Sequence, residues 1–438
     1  MPFSRISLYA FAESGIFAVE FFVRLQLLIF YTDRLHVESY LASIAAGVAL
    51  FWDAFIDPFV GAFSDRFRSR WGNRKPFLVA GALLIVPSLL WLFSPLPSQS
   101  VVWIFAQLLA ANLLLNTGIT LVTVPHAAIS AELTKDAAIR IRIFAARLLL
   151  ANLGLIVGLL VPAALIGAER NAQIVTGNIY AWIAVAIGLF CLFAVIVCTV
   201  TLPNKNGALA GAPHTRLLDD LRAATKNRFF VALFASGFLA YIAVAVNSTL
   251  ARYYYDHYLK LGESQFALVL IVFILVWSLS VVLWVKLADR YGKDRPAVFG
   301  IVALGVMTMV SYPLFPAGSV TGPIVAAVFG GIFTGCILLF DSYVADAADL
   351  DFAQSNVNRE GLYFGVWKFG IKASRGVAVV LSGFLLWGIG YRAGVEPDAA
   401  VKLRIALLFG PMVGSIFVLS GLVFHRFAVR AKNSPAAS

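Results

Sequence analysis

Residues 51–76, FWDAFIDPFVGAFSDRFRSRWGNRKP, run from an apolar helix through Asp65-Arg66 into a basic turn that ends on Lys75-Pro76. The same figure returns at 285–296 as VKLADRYGKDRP. Asp65 and Asp289 each precede an Arg and lie 224 residues apart, close to half of the 438-residue chain. Positive charge at a membrane surface would supply the Lys and Arg of two unrelated loops. It would not supply the shared Asp-Arg start, the Gly and the basic-Pro end. The chain therefore reads as two parallel repeats, an arrangement that fits two helical bundles related across a central cavity.

The sequence around these loops is apolar. Hydrophobic residues make up 61% and charged residues 13%, and mean hydropathy is +0.87. Soluble domains carry about 25% charge, so these charges are too few to cover a soluble surface. Apolar blocks run over about 6–32, 40–64, 76–93, 101–130, 140–166, 177–201, 228–256, 265–287, 296–315, 320–348, 360–388 and 403–426, many beyond the ~18 residues of a spanning helix. The polar stretch LPNKNGALAGAPHTRLLDDLRAATKN divides them six and six. The expected fold class is an all-α polytopic membrane protein of twelve transmembrane helices in two pseudo-symmetric six-helix bundles. The N-terminal bundle covers 1–201, a cytoplasmic linker 202–227, and the C-terminal bundle with a short cytoplasmic tail 228–438.

Lys and Arg set the orientation. The N-terminus, the loops from even to odd helices and the C-terminal tail carry 22 of the 34, and the opposite side carries 6. Both termini are expected in the cytoplasm. The net charge of +11 is therefore a topological signal and no nucleic-acid partner is expected. The first block reads as a retained anchor, since no small-residue cleavage site follows a short core. Cys191, Cys198 and Cys336 lie inside apolar segments as small buried side chains. No phosphate-cradling loop, metalloprotease helix or Ser-His-Asp set is present, so neither enzyme activity nor a cofactor is expected.

The remaining charges lie within spans: Arg24, Arg147, Arg252, Lys368, Lys372 and Arg375, with Glu13, Glu20, Asp53, Asp57 and Asp341 among the acids. An ionised group near the bilayer centre costs at least ~2.5–3.5 kcal/mol. These groups need partners, water or an ion, and they favour a cavity over lipid. Asp53 and Asp57 share one face of the second helix at i, i+4. Two such carboxylates repel unless a cation or a proton sits between them. A hard cation such as sodium would take them as metal ligands; a shared proton would serve the same purpose. Salt bridging to a facing Arg or Lys is the rival reading. Pro58 can loosen the helix there and release a carbonyl.

Glu20 either neutralises Arg24 four residues on or touches a polar substrate. Arg147 and Arg252 are read as lacking an acid three or four positions away on their own helix, so each pairs across the cavity or attracts an anionic or hydroxyl-rich substrate. Lys368 and Lys372 share a face of the eleventh helix near Arg375. Asp341 and the Asp53/Asp57 pair are the acids expected to balance them, with Lys372 either coupling cation to substrate or held in a fixed salt bridge. Trp52 and Trp367 neighbour these residues and either meet substrate or pack. Tyr253-Tyr254-Tyr255 reads as an interfacial aromatic belt, and His126 as an interhelical hydrogen-bonding group.

Three segments carry a family resemblance: WDAFIDPFVGAFSDRFRSRWGNRKP (52–76), VPHAAISAELTKDAAIRIRIFAAR (124–147) and YVADAADLDFAQSNVNREGLYFGVWKFGIKASRG (343–376). Together they resemble the glycoside-pentoside-hexuronide:cation symporters of the major facilitator superfamily, over essentially the whole chain. The resemblance implies that Asp53 and Asp57 are cation-site carboxylates and that Thr120 lines the same site. It implies that Arg147 and Lys372 bridge substrate and cation sites. The loops containing Asp65, Arg66 and Arg74, and Asp289, Arg290 and Arg295, would be cytoplasmic gating motifs that hold one conformation closed.

The departures concern substrate. The melibiose-transporting branch has a sugar-binding Asp in helix one where this chain has Phe17, with Glu20 a turn later. A second Asp is Thr123 here, assigned to the cation site with Thr120, and a sugar-stacking Trp is Ala127. The family also includes carriers of glucuronides, pentosides and sulfosugars and the sodium-dependent lysophosphatidylcholine symporters.

The expected function is symport of sodium or protons with a small polar or anionic solute. A glycoside or sugar acid is the first reading and a lysolipid or other amphipathic anion the second; a passive channel or facilitator is the rival of another class. The expected setting is a bacterial inner membrane, with a small-molecule substrate, a coupling cation and the lipid bilayer as partners and a monomer as the working unit.

Overall fold

A computed structural model describes residues 3–98, 100–133, 137–170, 178–202, 225–355 and 360–429. Every regular element among them is helical. Twelve helices are long and apolar enough to cross a membrane. In the first half these are α1 (Arg5–Arg34), α2 (Ser39–Gly61), α3 (Lys75–Phe93), α4 (Val101–Ile129), α5 (Ala146–Glu169) and α6 (Ile179–Thr201). In the second half they are α7 (Arg228–Tyr258), α8 (Glu263–Tyr291), α9 (Asp294–Leu314), α10 (Thr321–Gln354), α11 (Leu362–Gly388) and α12 (Ala399–Val429). All twelve expected blocks are present. Most of the linker 202–227 lies outside the described residues.

The chain forms two compact units, Met1–Gly211 and Ala212–Ser438. Within the first, α1 packs on α5 and α6, α3 on α4 and α6, and α2 on α4. Within the second, α7 packs on α11 and α12, α9 on α10 and α12, and α8 on α10. Adding six to each helix number converts one scheme into the other, so the repeat read from two loops extends to the internal packing of both bundles. The loops share a backbone requirement as well. Gly72 and Gly292 sit at φ 96° and 75°, a region in which a Cβ is strained.

Glycines also let helices meet. A Cβ on Gly158 would lie 2.5 Å from the Ala18 carbonyl oxygen, and one on Gly154 2.3 Å from that of Ser14, so α1 and α5 touch backbone to backbone. Large apolar side chains face outward, Phe55, Phe59 and Phe63 at 58%, 61% and 62% exposure. Their spacing of four places them on one stripe of the second helix. The helix Ser39–Arg66 continues through Pro58.

One expectation is corrected here. Tyr253, Tyr254 and Tyr255 form no lipid-facing belt; all three are buried in the second unit. Tyr254 donates to the Tyr312 carbonyl at 2.6 Å and stacks on Phe409 at 4.4 Å. A π-helical turn over Tyr254–Tyr258 rotates the run inward, which a straight-helix reading does not anticipate.

Candidate functional site

The first cluster joins α2 to α4. Asp53 is buried, and its Oδ1 accepts a hydrogen bond from the Thr120 hydroxyl at 2.5 Å. Thr120 is itself fully buried. Asp57, one turn along, is half-buried and its Oδ1 is sealed from solvent. Thr123 is half-buried one turn after Thr120 on α4. Trp52 donates its indole N–H to the Thr117 hydroxyl at 3.0 Å. Two carboxylates and two hydroxyls thus occupy adjoining turns of packed helices, a set of hard oxygen donors suited to a small cation or a proton. Among the described residues, no group of three or more His, Cys, Asp or Glu side chains gathers as a metal site.

A second cluster joins α1, α4 and α5. Arg147 lies with Nη2 2.5 Å and Nε 2.6 Å from a single oxygen, Oε1 of Glu13. The His126 Nδ1 is 3.3 Å from that same oxygen. His126 is clamped further: its Nε2 lies 3.0 Å from the Tyr9 carbonyl oxygen, and the Tyr9 hydroxyl donates to the His126 carbonyl at 2.6 Å. The two rings stack with centroids 4.4 Å apart. Arg147 therefore pairs across helices. Glu13 as its partner went unrecognised in the sequence; the Gly154 and Gly158 spacing on the Arg147 helix marks a face for close packing without saying which helix meets it. Glu20 and Arg24 stand 4.0 Å apart at i, i+4, and Phe17 is half-buried between these groups along α1.

The third cluster lies in the second unit. Asp341 of α10 accepts at Oδ1 from the Trp367 indole N–H at 2.7 Å and the Tyr241 hydroxyl at 3.0 Å. The expectation that Asp341 balances the helix-eleven lysines is corrected: two neutral donors hold it. Trp367 is 4% exposed and lies so close to Gly237 that a Cβ there would meet the ring at 2.1 Å. It packs as an internal wall. Lys368 is exposed, while Lys372 and Arg375 are half-buried.

Arg252 requires a second correction. It has an acid four residues on, Asp256, at 2.9 Å, and Glu263 at 2.6 Å beyond it. Its guanidinium also lies over the Phe266 ring at 4.8 Å. At 1% exposure Arg252 is a buried structural ion-pair centre.

The side chains of Asp65 and Arg66 lie outside the described residues, and Arg74 is half-buried. Asp289, Arg290 and Arg295 are exposed. An ion pair fastens that loop within its own unit, Lys293 with Asp346 of α10 at 2.8 Å, beside a Tyr343–Asp294 hydrogen bond. Sequence reading missed this link because Asp346 is 53 residues away.

The family described as MFS/sugar transport protein matches residues 8–431. The isoprimeverose transporter of Lactiplantibacillus pentosus is 22% identical, covering 97% of this chain and 89% of that protein. The sodium-dependent lysophosphatidylcholine symporter 1 of Gallus gallus is 24% identical, over 94% and 83%. Among solved structures, a bacterial homologue of the human lysosomal transporter Spinster superposes with a TM-score of 0.69 at 12% identity, covering 98% of this chain and 99% of that one. The twelve helices thus adopt the major facilitator fold.

Proposed function

The chain belongs to the MFS/sugar transport protein family, and from that premise we propose that it is a glycoside-pentoside-hexuronide:cation symporter taking up a glycoside or sugar acid with sodium or protons. It is an integral, multi-pass secondary transporter that moves a small solute by alternating access. In the proposed cycle a cation binds at Asp53 and Asp57 with help from Thr120 and Thr123. Neutralising those carboxylates makes the cavity competent for substrate, which Phe17, Glu20, Arg147 and Lys372 contact while Trp367 walls the site. Lys368 and Arg375 adjust the charge near Lys372. The bundles 1–201 and 228–438 then rock about the linker 202–227 while the loops at 65–76 and 289–296 open and close. Each solute must raise the affinity for the other. Both termini face the cytoplasm of a bacterial inner membrane, and one chain suffices.

The observation that carries this reading is the buried Asp53 carboxylate held by Thr120, one turn from Asp57. The half-buried basic side chains Arg147, Lys372 and Arg375 suit an acidic sugar. A second reading, an amphipathic anion such as a lysolipid, draws on the similarity to a lysophosphatidylcholine symporter.

The test is uptake by proteoliposomes under separately imposed sodium and proton gradients, with competition by glucuronides, pentosides and lysophosphatidylcholine. Accumulation driven by one gradient and abolished in Asp57→Cys supports the reading. Unchanged gradient-driven uptake in that variant overturns the cation site, and equilibration without accumulation identifies a passive facilitator.

A further inference from the structure

The proposed cycle uses Arg147 for substrate and leaves its partners Glu13 and His126 without a role. From its geometry we propose that Glu13 and His126 share one exchangeable proton, forming a proton-binding site inside the first unit that is separate from Asp53 and Asp57. The consequence for substrate drawn below rests on the symporter reading; the proton site itself does not.

The argument starts at the His126 ring. Its Nε2 lies 3.0 Å from the Tyr9 carbonyl oxygen. A carbonyl only accepts, so Nε2 carries a hydrogen. Stacking on Tyr9 and the reciprocal Tyr9 hydroxyl bond fix the ring in place. A neutral ring would leave its buried Nδ1, which makes no hydrogen bond, with its lone pair 3.3 Å from Oε1 of Glu13. Two acceptors at that distance repel, and one proton between them removes the conflict. The site is almost closed to water: His126 is fully buried and Glu13 is 6% exposed.

The surrounding groups define the charge. Glu13 and Tyr9 come from α1, Arg147 from α5, and the Cys198 thiol faces the imidazole from α6. At the start of α3, Lys75 lies beyond Cys198 and places its ammonium on the Leu202 carbonyl at 2.5 Å. From α2, Asp53 reaches α4 at Thr120, six residues before His126. Without the shared proton, Glu13 cancels Arg147 and the triad is neutral. With it, the triad carries one positive charge, and its most open member is Arg147 at 20% side-chain exposure. In a low-dielectric interior that charge attracts an anion. Binding of an anionic substrate at Arg147 would in turn tighten proton binding by the same factor. Proton linkage then enters through helices one, four and five.

The experiment uses full-length protein with 15N-labelled histidine in lipid nanodiscs, read by NMR from pH 5 to pH 10 without substrate. The chain has five histidines, and His126→Gln and His126→Asn each identify the signal of interest. The expected result is a ring protonated on both nitrogens at the acid end that loses one proton within this range. Glu13→Gln should lower its midpoint by at least about one pH unit, a tenfold loss of proton affinity. Arg147→Gln should raise the midpoint, and Asp57→Asn should leave it in place. A ring that is neutral throughout overturns the proposal, as does one doubly protonated throughout or one indifferent to Glu13→Gln. Titration in a protein that builds no gradient would overturn the symporter reading alone. A pH-inert His126 in an active symporter would overturn the proton site alone.

Discussion

The Thr120 hydroxyl on α4 donates to Asp53 Oδ1 on α2 at 2.5 Å, with both groups buried. A hydrogen bond to a buried carboxylate contributes about 1.5–3 kcal/mol, and it fixes one of the two oxygens. Thr120→Val keeps the shape and removes the donor. It should weaken the apparent affinity for the coupling cation about tenfold or more, whereas Thr120→Ser should restore it. The concentration dependence of uptake on sodium and on protons decides this.

Arg252 separates a structural charge from a functional one. Removing one member of a buried ion pair costs about 3–5 kcal/mol, because the partner charge stays behind. Arg252→Met should therefore lower the unfolding temperature markedly, since Glu263 and Asp256 lose their counter-charge. Adding Glu263→Gln should recover part of the loss. Per folded molecule, coupling should be unchanged. Thermal unfolding in detergent beside gradient-driven uptake tests both halves.

At the α1–α5 crossing, Gly154→Ala would set a Cβ 2.3 Å from the Ser14 carbonyl, next to Glu13. Overpacking of this kind costs about 1–3 kcal/mol. It should also spread the Glu13–Arg147 contact and impair transport. Gly365→Ala meets nothing within 4 Å and serves as the control. Its unfolding temperature should match the parent protein.

In the loop before α12, Glu396 Oε1 accepts a hydrogen bond from the Lys402 ammonium at 2.7 Å. That hydrogen bond is the main reason the Glu396 carboxyl is held below its ordinary value. A depressed carboxylate pKa adds stability above the unfolded-state value of 4.5, and this is lost as pH falls through the folded-state value. Glu396 is 70% exposed, so the effect is small. Lys402→Met should lower the unfolding temperature slightly at pH 7, and the difference should shrink as pH falls through the depressed Glu396 value. Unfolding scans across that range check the sign.

The twelve helices, the repeat and the charges that cannot face lipid are legible in the sequence, because hydropathy and charge act locally along the chain. The same is true of Asp53 and Asp57, which one helix places on one face at i, i+4. Partners from other helices were not legible. Nothing near Arg147 in sequence indicates that Glu13, 134 residues earlier, shares its charge, or that His126 lies against the same oxygen. For Arg252 the partner Asp256 was open to view four residues on, whereas Glu263, folding back from the next helix, was not. Asp341 looked destined for lysines and instead received Trp367 and Tyr241. Hydropathy determined which segments cross the bilayer and which charges need an explanation. Helix packing alone decided which charges neutralise one another, because a buried ion pair depends on angstrom-scale approach between segments whose separation along the chain carries no information about their distance in space.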